Sequence, residues 1–147
     1  MVKQYNNPAV LNATKRIDKL LSFILSNSEA DEDWKEIEWA DSYYYVSSKG
    51  RVLSLCNKQP HIMKSFMCNG YLCVSIYGYD RRINRLVAQA FIENPDNKPI
   101  VHHINHIKTD NRRDNLLWAT HSENTTAYFD SIKQDQKQSE RVPPAPL

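Results

Sequence analysis

Val101-His102-His103-Ile104-Asn105-His106 holds three of the five histidines in a chain of 147 residues, and a fourth, His121, follows shortly after. Next to them stands Asp110-Asn111-Arg112-Arg113-Asp114-Asn115. The surroundings set a local plan. Ile100 to His103 is a short β-type run, and residues 104–114 form a loop rich in Asn, Asp, Lys and Arg. Asn115 to Ala119 is a second apolar run. Thr120 and Glu123 have the spacing of a capping box, so a helix is expected to start near His121 with Asn124 in its first turn. The order is strand, loop, strand, helix. His102, His103 and Asn124 fall where the first strand and the helix can face each other.

The totals around this segment are ordinary. Hydrophobic residues make 41% of the chain and charged ones 24%, the composition of a globular domain. A net charge of +2 is too mild to establish nucleic-acid binding, so that argument has to come from where the charge sits. The three cysteines, Cys56, Cys68 and Cys73, form no CxxC pair, which argues against a disulfide framework and a thiolate zinc site. A reducing, cytoplasmic setting is expected. No apolar run has membrane-span length, and Leu20-Leu21-Ser22-Phe23-Ile24-Leu25, with Arg16, Asp18 and Lys19 just before it, is not read as a signal peptide.

Working outward, residues 8–26 read as one amphipathic helix capped by Asn7, with Pro8 at its first position. Val10, Ala13, Ile17, Leu20, Leu21 and Ile24 recur at helical spacing, which predicts a face packed on the core or used for dimerisation. From Glu29 to Asp41 there are seven acidic residues against one lysine, read as a solvated linker. Residues 43–55 read as strand, turn and strand, with Ser47-Ser48-Lys49-Gly50 as the turn. In residues 62–77, Asn69-Gly70 marks a hairpin. A short strand and a helix over about 84–92 follow, with Leu86, Val87, Ala90 and Phe91 as its apolar stripe. From about 130 the chain is polar and ends Val-Pro-Pro-Ala-Pro-Leu, an expected frayed tail. Trp34, Trp39, Ile104, Leu116 and Trp118 read as packing residues.

The histidine segment suits phosphodiester hydrolysis. That reaction needs a base to deprotonate water, and a neutral imidazole is well poised near neutral pH. It also needs a divalent cation to absorb charge on the phosphate and the leaving oxygen. Two ligands from two elements would leave positions open for water and phosphate.

Residues 101–125 resemble the HNH endonucleases, also called His-Me finger or ββα-metal nucleases, and in particular the phage and homing-type subset. Asn84-Arg85-Leu86-Val87-Ala88 is similar to the helix that precedes the finger there. Trp34-Lys35-Glu36-Ile37 with residues 44–55 looks like the nuclease-associated modular domain found at its N-terminus. The resemblance covers about residues 33–127 and implies a metal-dependent DNA endonuclease; with the N-terminal helix read above, the expected fold is α+β: an N-terminal helix, a small antiparallel β-rich region, then a ββα-metal finger. The expected division is 1–30 helix and linker and 130–147 flexible tail, both outside the resemblance, with 31–82 the modular region and 83–129 the finger with its preceding helix. Carried over by position, His103 is the general base and Asn115 the asparagine that braces the loop and helps orient it. His102 and Asn124 are the metal ligands. Mg²⁺ is the ion the family usually takes. Where the subset more often has Asp or Asn, this chain has His102, a softer ligand, so Mn²⁺, Ni²⁺ or Zn²⁺ could compete. Where the subset often has histidine, this chain has Asn84, read as structural.

Charge sits near the finger. From Arg81 to Arg113 there are seven Lys or Arg against three Asp or Glu. Arg81, Arg82, Arg85, Lys108, Arg112 and Arg113 are the expected contacts to the DNA backbone, with Lys49 and Arg51 weaker candidates. His106 and His121 are expected at the surface, and His61 in a loop. The partner is DNA, with a homodimer through residues 8–26 a second expectation, in the host cytoplasm if the gene is phage-encoded. The competing reading is a DNA-binding or regulatory protein that keeps the scaffold without turnover. A structural zinc module fits poorly, because the cysteines lie outside the finger.

Overall fold

A computed structural model describes residues 8–139 and 141. Helix α1, Pro8–Asn27, comes first. Four short strands then pair antiparallel in sequence order: β1 Trp34–Glu36, β2 Tyr44–Ser47, β3 Val52–Ser54 and β4 His61–Ile62. A second antiparallel sheet has β5 Phe66–Cys68, β6 Tyr71–Ile76 and β7 Tyr79–Arg82. Helix α2, Ile83–Phe91, leads into the finger: β8 Ile100–His103, β9 Leu116–Ala119 and helix α3 His121–Ser139. The α+β class is as the sequence implies.

Local chemistry accounts for the joins. Asn69 and Gly70 turn β5 into β6 with φ of 50° and 80°, the left-handed pair that matches strand twist in a two-residue hairpin. On α2, Ile83, Leu86 and Val87 fall at i, i+3 and i+4, and all three are buried. They meet Val46, Val52, Val74 and Ile76 from the two sheets, and Val101 and Leu116 from the finger, in one cluster. Full burial of a valine such as Val87 contributes about 1.5–3 kcal/mol. The modular region and the finger therefore share a core with α2 between them. At the end of α2, Trp118 Nε1 donates to Ile92 O at 3.0 Å, tying β9 to the helix.

Several expectations are corrected. Helix α1 forms but is not packed on the core. None of its described side chains is buried, and Leu11, Ile17, Leu21 and Leu25 are exposed. Among its ties, Lys19 Nζ donates to Lys58 O at 3.0 Å, and Arg16 lies over the Tyr43 ring. The expected cap, Asn7, lies outside the described residues. The acidic stretch is not a solvated linker. It contains β1 and a 3₁₀ turn at Glu38–Ala40, with Ile37 and Ala40 in the core. Part of its charge is paired: Glu32 receives the Arg51 guanidinium in a two-pronged pair, and Asp33 meets Arg113. Residues 130–139 are not a frayed tail but the second half of α3. Trp39 and Ile104 are exposed rather than packed, and Trp39 carries Arg81 over its ring.

Candidate active site

The finger places its two adjacent histidines on opposite sides of β8, because side chains alternate along a strand. His103 points inward and is buried. His102 is half-buried and faces α3.

Helix α3 starts where the capping box puts it. Thr120 N donates to Glu123 Oε2 at 2.8 Å, and Glu123 N donates to Thr120 Oγ1 at 3.2 Å. Lys98 adds a bond to Glu123 at 2.9 Å. This fixes the first turn and brings Asn124 Oδ1 to 2.8 Å from His102 Nδ1. Two neighbouring donors on an octahedral ion with bonds of about 2.1 Å stand about 3 Å apart. In the metal-free protein this contact is a hydrogen bond from His102 Nδ1–H to the Asn124 amide oxygen, so a divalent cation held by one imidazole nitrogen and one amide oxygen would have to displace that proton. The remaining positions would go to water and phosphate, as Mg²⁺ prefers. Among the described residues no three His, Cys, Asp or Glu side chains form a metal-binding group.

On the other side of β8, His103 Nε2 lies 2.9 Å from Asn111 Oδ1, and both residues are buried. An amide oxygen can only accept, so Nε2 carries the proton and Nδ1 keeps the lone pair. Burial pushes the His103 pKa below the ordinary imidazole value, because it penalises the charged ring. The result is a neutral, oriented imidazole.

Asn115 sits elsewhere in this network. Its Nδ2 donates to Asn105 Oδ1 and Asp110 O, and its Oδ1 accepts from Asn105 N at 3.0 Å. It braces the loop. The side chain bonded to His103 is Asn111, which the sequence reading did not single out. A buried asparagine inside an otherwise charged loop was the signal for it, but burial is not visible in a linear string.

A cavity of about 400 Å³ opens over these groups, lined by His102, His103, His106, Lys108, Asn124 and Tyr71 among others. His106 is exposed but stands edge-on to His102, with ring centroids 5.2 Å apart. His121 is exposed, as is His61. Tyr71, from the modular hairpin, sits 6.2 Å from His103 between rings and carries both Arg82 and Lys108 over its face.

The six candidate DNA-binding cations do not gather in one place. Lys108 lines the cavity, and Arg82 stands over the same Tyr71. Arg81, Arg82 and Arg85 border a separate depression with Trp39. Arg85 donates to Pro99 O at 2.9 Å. Arg112 is paired with Asp110 at 2.8 Å and holds that carboxyl down to about 2. Arg113 is paired with Asp33 at 2.9 Å. Arg51, turned to Glu32, is likewise engaged.

A strand–loop–strand–helix unit with a buried histidine and a His–Asn pair at its open side defines a ββα finger of the nuclease type. A family model described as HNH endonuclease matches residues 84–126, and one for the NUMOD4 motif matches residues 32–77. Two uncharacterised HNH endonucleases of Acanthamoeba polyphaga mimivirus are similar. One is 38% identical over 112 residues, which is 71% of this chain and 28% of that protein. The other is 40% identical over 86 residues, 55% of this chain and 26% of that protein. The chain thus spans little more than a quarter of either relative's length. A solved structure of DNA binding and cleavage by the HNH homing endonuclease I-HmuI superposes with a TM-score of 0.61 at 24% identity. It covers 74% of this chain and 66% of that one, and at this identity the likeness concerns the fold. The chain is thus similar to HNH endonucleases over its finger, residues 84–126, and to the NUMOD4 motif over the region ahead of it, residues 32–77. No helix among the described residues is long and apolar enough to cross a membrane.

Proposed function

We propose that this protein hydrolyses phosphodiester bonds in DNA with the help of one divalent cation. The observation that supports this most directly is the split of the histidine pair. One imidazole is buried and oriented by Asn111, and the other is hydrogen-bonded to Asn124 at the same cavity.

His103 acts as general base. Its bare Nδ1 takes a proton from water, and the hydroxide attacks phosphorus as the bond to the 3′ oxygen breaks. Asn111 keeps Nε2 engaged, so the ring gains its positive charge without rotating. Bound by His102 and Asn124, a divalent cation would offset charge on the scissile phosphate and the leaving oxygen. Mg²⁺ is the ion proposed, with Mn²⁺, Ni²⁺ and Zn²⁺ as competitors at a site containing one imidazole. Lys108 and Arg82, beside Tyr71, steer the phosphate backbone to this cavity. The working unit joins the modular region, residues 31–82, to the finger, residues 83–129. One finger cuts one strand, so a monomer nicks. A second copy paired along the exposed leucines of α1 would cut both strands. The compartment proposed is the cytoplasm, where the three free cysteines stay reduced.

The test is conversion of supercoiled plasmid to open circle in Mg²⁺, in Mn²⁺ and in chelator. Metal-dependent nicking that disappears in His103→Ala is the expected result. DNA shifted on a gel but uncut in every metal would replace the nuclease reading with that of a binding module.

A further inference from the structure

The base is not held by the finger alone. The turn between β2 and β3 reaches across to the loop that carries Asn111. Arg113 N donates to Ser48 O at 2.8 Å. Gly50 has φ +84°, a conformation that side chains other than glycine rarely adopt. A Cβ placed on Gly50 would stand 2.9 Å from Asn111 Cβ and 3.2 Å from Asn111 O. The collision would be with a Cβ and a backbone oxygen rather than a flexible tip, so the loop itself would have to move. The turn is braced in its own right. Ser47 Oγ accepts from Lys49 N and Arg51 N, and Ser48 Oγ accepts from Asp33 N at 3.0 Å. Asn111, only 4% exposed, then meets His103. Contact runs unbroken from Gly50 through Asn111 to Nε2 of His103.

We infer that the β2–β3 turn of the N-terminal module positions the catalytic base: Gly50 seats Asn111, and Asn111 fixes His103 with its proton on Nε2. Gly50 and Asn111 are positioning residues, since neither touches the reacting atoms. The effect on cleavage rests on the nuclease reading above, whereas the seating does not. The physical need is plain. The 104–114 loop is largely exposed, and a shift of about 1 Å in a reacting group can cost on the order of 100-fold in rate. A rigid turn from another module removes that freedom.

Two readouts on the full chain test this. The first is ¹⁵N NMR of the metal-free protein, reporting which nitrogen of His103 carries the proton. The second is plasmid nicking in Mg²⁺, with kcat and KM separated. Wild type is expected to show the proton on Nε2. Asn111→Leu, of similar volume but without an acceptor, should mix the tautomers and lower kcat about 100-fold at constant KM. Asn111→Asp still accepts from Nε2 and should keep the tautomer and most of the rate. Gly50→Ala should behave like Asn111→Leu. A wild-type proton on Nδ1 would overturn the inference, as would a Gly50→Ala protein with native spectrum and rate. If Gly50→Ala does not fold, the contrast between the leucine and aspartate variants decides, and equal behaviour of the two rejects the proposal. A wild-type chain that never cuts, yet loses its Nε2 tautomer in Asn111→Leu, would support the seat and end the nuclease reading.

Discussion

The two sides of strand β8 carry the same residue type one position apart and treat it in opposite ways. On the inner side, His103 is buried against Asn111, and burial keeps its ring neutral. On the outer side, His102 is half-exposed and turned to Asn124 on a helix that buries none of its side chains. The inner side is closely packed, with the β2–β3 turn behind it. Both histidines line the cavity, and His102 is the more exposed of the two. Base chemistry needs a fixed lone pair, whereas a metal site needs donors with room beside them. Strand alternation supplies both from adjacent residues.

The largest effect should come from the inner side. His103→Ala is expected to lower kcat for nicking by about 10²–10⁴-fold, the range for losing a general base, with plasmid affinity unchanged. A gel shift run beside the cleavage assay checks both parts. Equal cutting by the variant would mean that the two sides have been assigned the wrong way round.

The outer side should respond to metal. His102→Ala or Asn124→Ala is expected to lower the rate about 10–100-fold at low Mg²⁺, a loss that added metal partly restores. Titrating metal against rate in each variant separates them from His103→Ala, which no metal concentration should rescue. Chelator should abolish cutting in wild type while leaving DNA binding in place.

The pH profile sharpens the same contrast. The working form of His103 is neutral, and burial depresses its pKa. At saturating metal, the rate should stay level as pH falls through about 6.5, the ordinary imidazole value, and decline only below it. An acid limb centred above that value would contradict a desolvated base.

A smaller effect concerns the support of the outer side. Thr120→Ala removes half of the capping box and is expected to cost about 1 kcal/mol in denaturant unfolding. The metal concentration for half-maximal rate should rise with it, because Asn124 rides on that first turn. The smallest effects lie among the cations. Lys108→Ala should reduce the salt slope of DNA binding by about one, while Arg113→Ala, already paired with Asp33, should leave it nearly unchanged. The reverse order would move the DNA path away from the cavity.

What the sequence determined by itself was local. The capping box at Thr120 and Glu123, the Asn69-Gly70 turn, the α2 stripe and the alternation that separates His102 from His103 are short-range rules, legible in a string of residues. The tertiary structure alone decided what lies behind them. Asn111 and Gly50 are 61 positions apart in the numbering, and only folding brings the turn against the loop. The acidic stretch from Glu29 to Asp41 read as solvated because its partners, Arg51 and Arg113, come from other elements. Helix α1 has the periodicity of a packed helix, yet periodicity records which face is apolar, not whether anything covers it. Burial and charge pairing are properties of the assembled chain, so they could be read only once the modules were in contact.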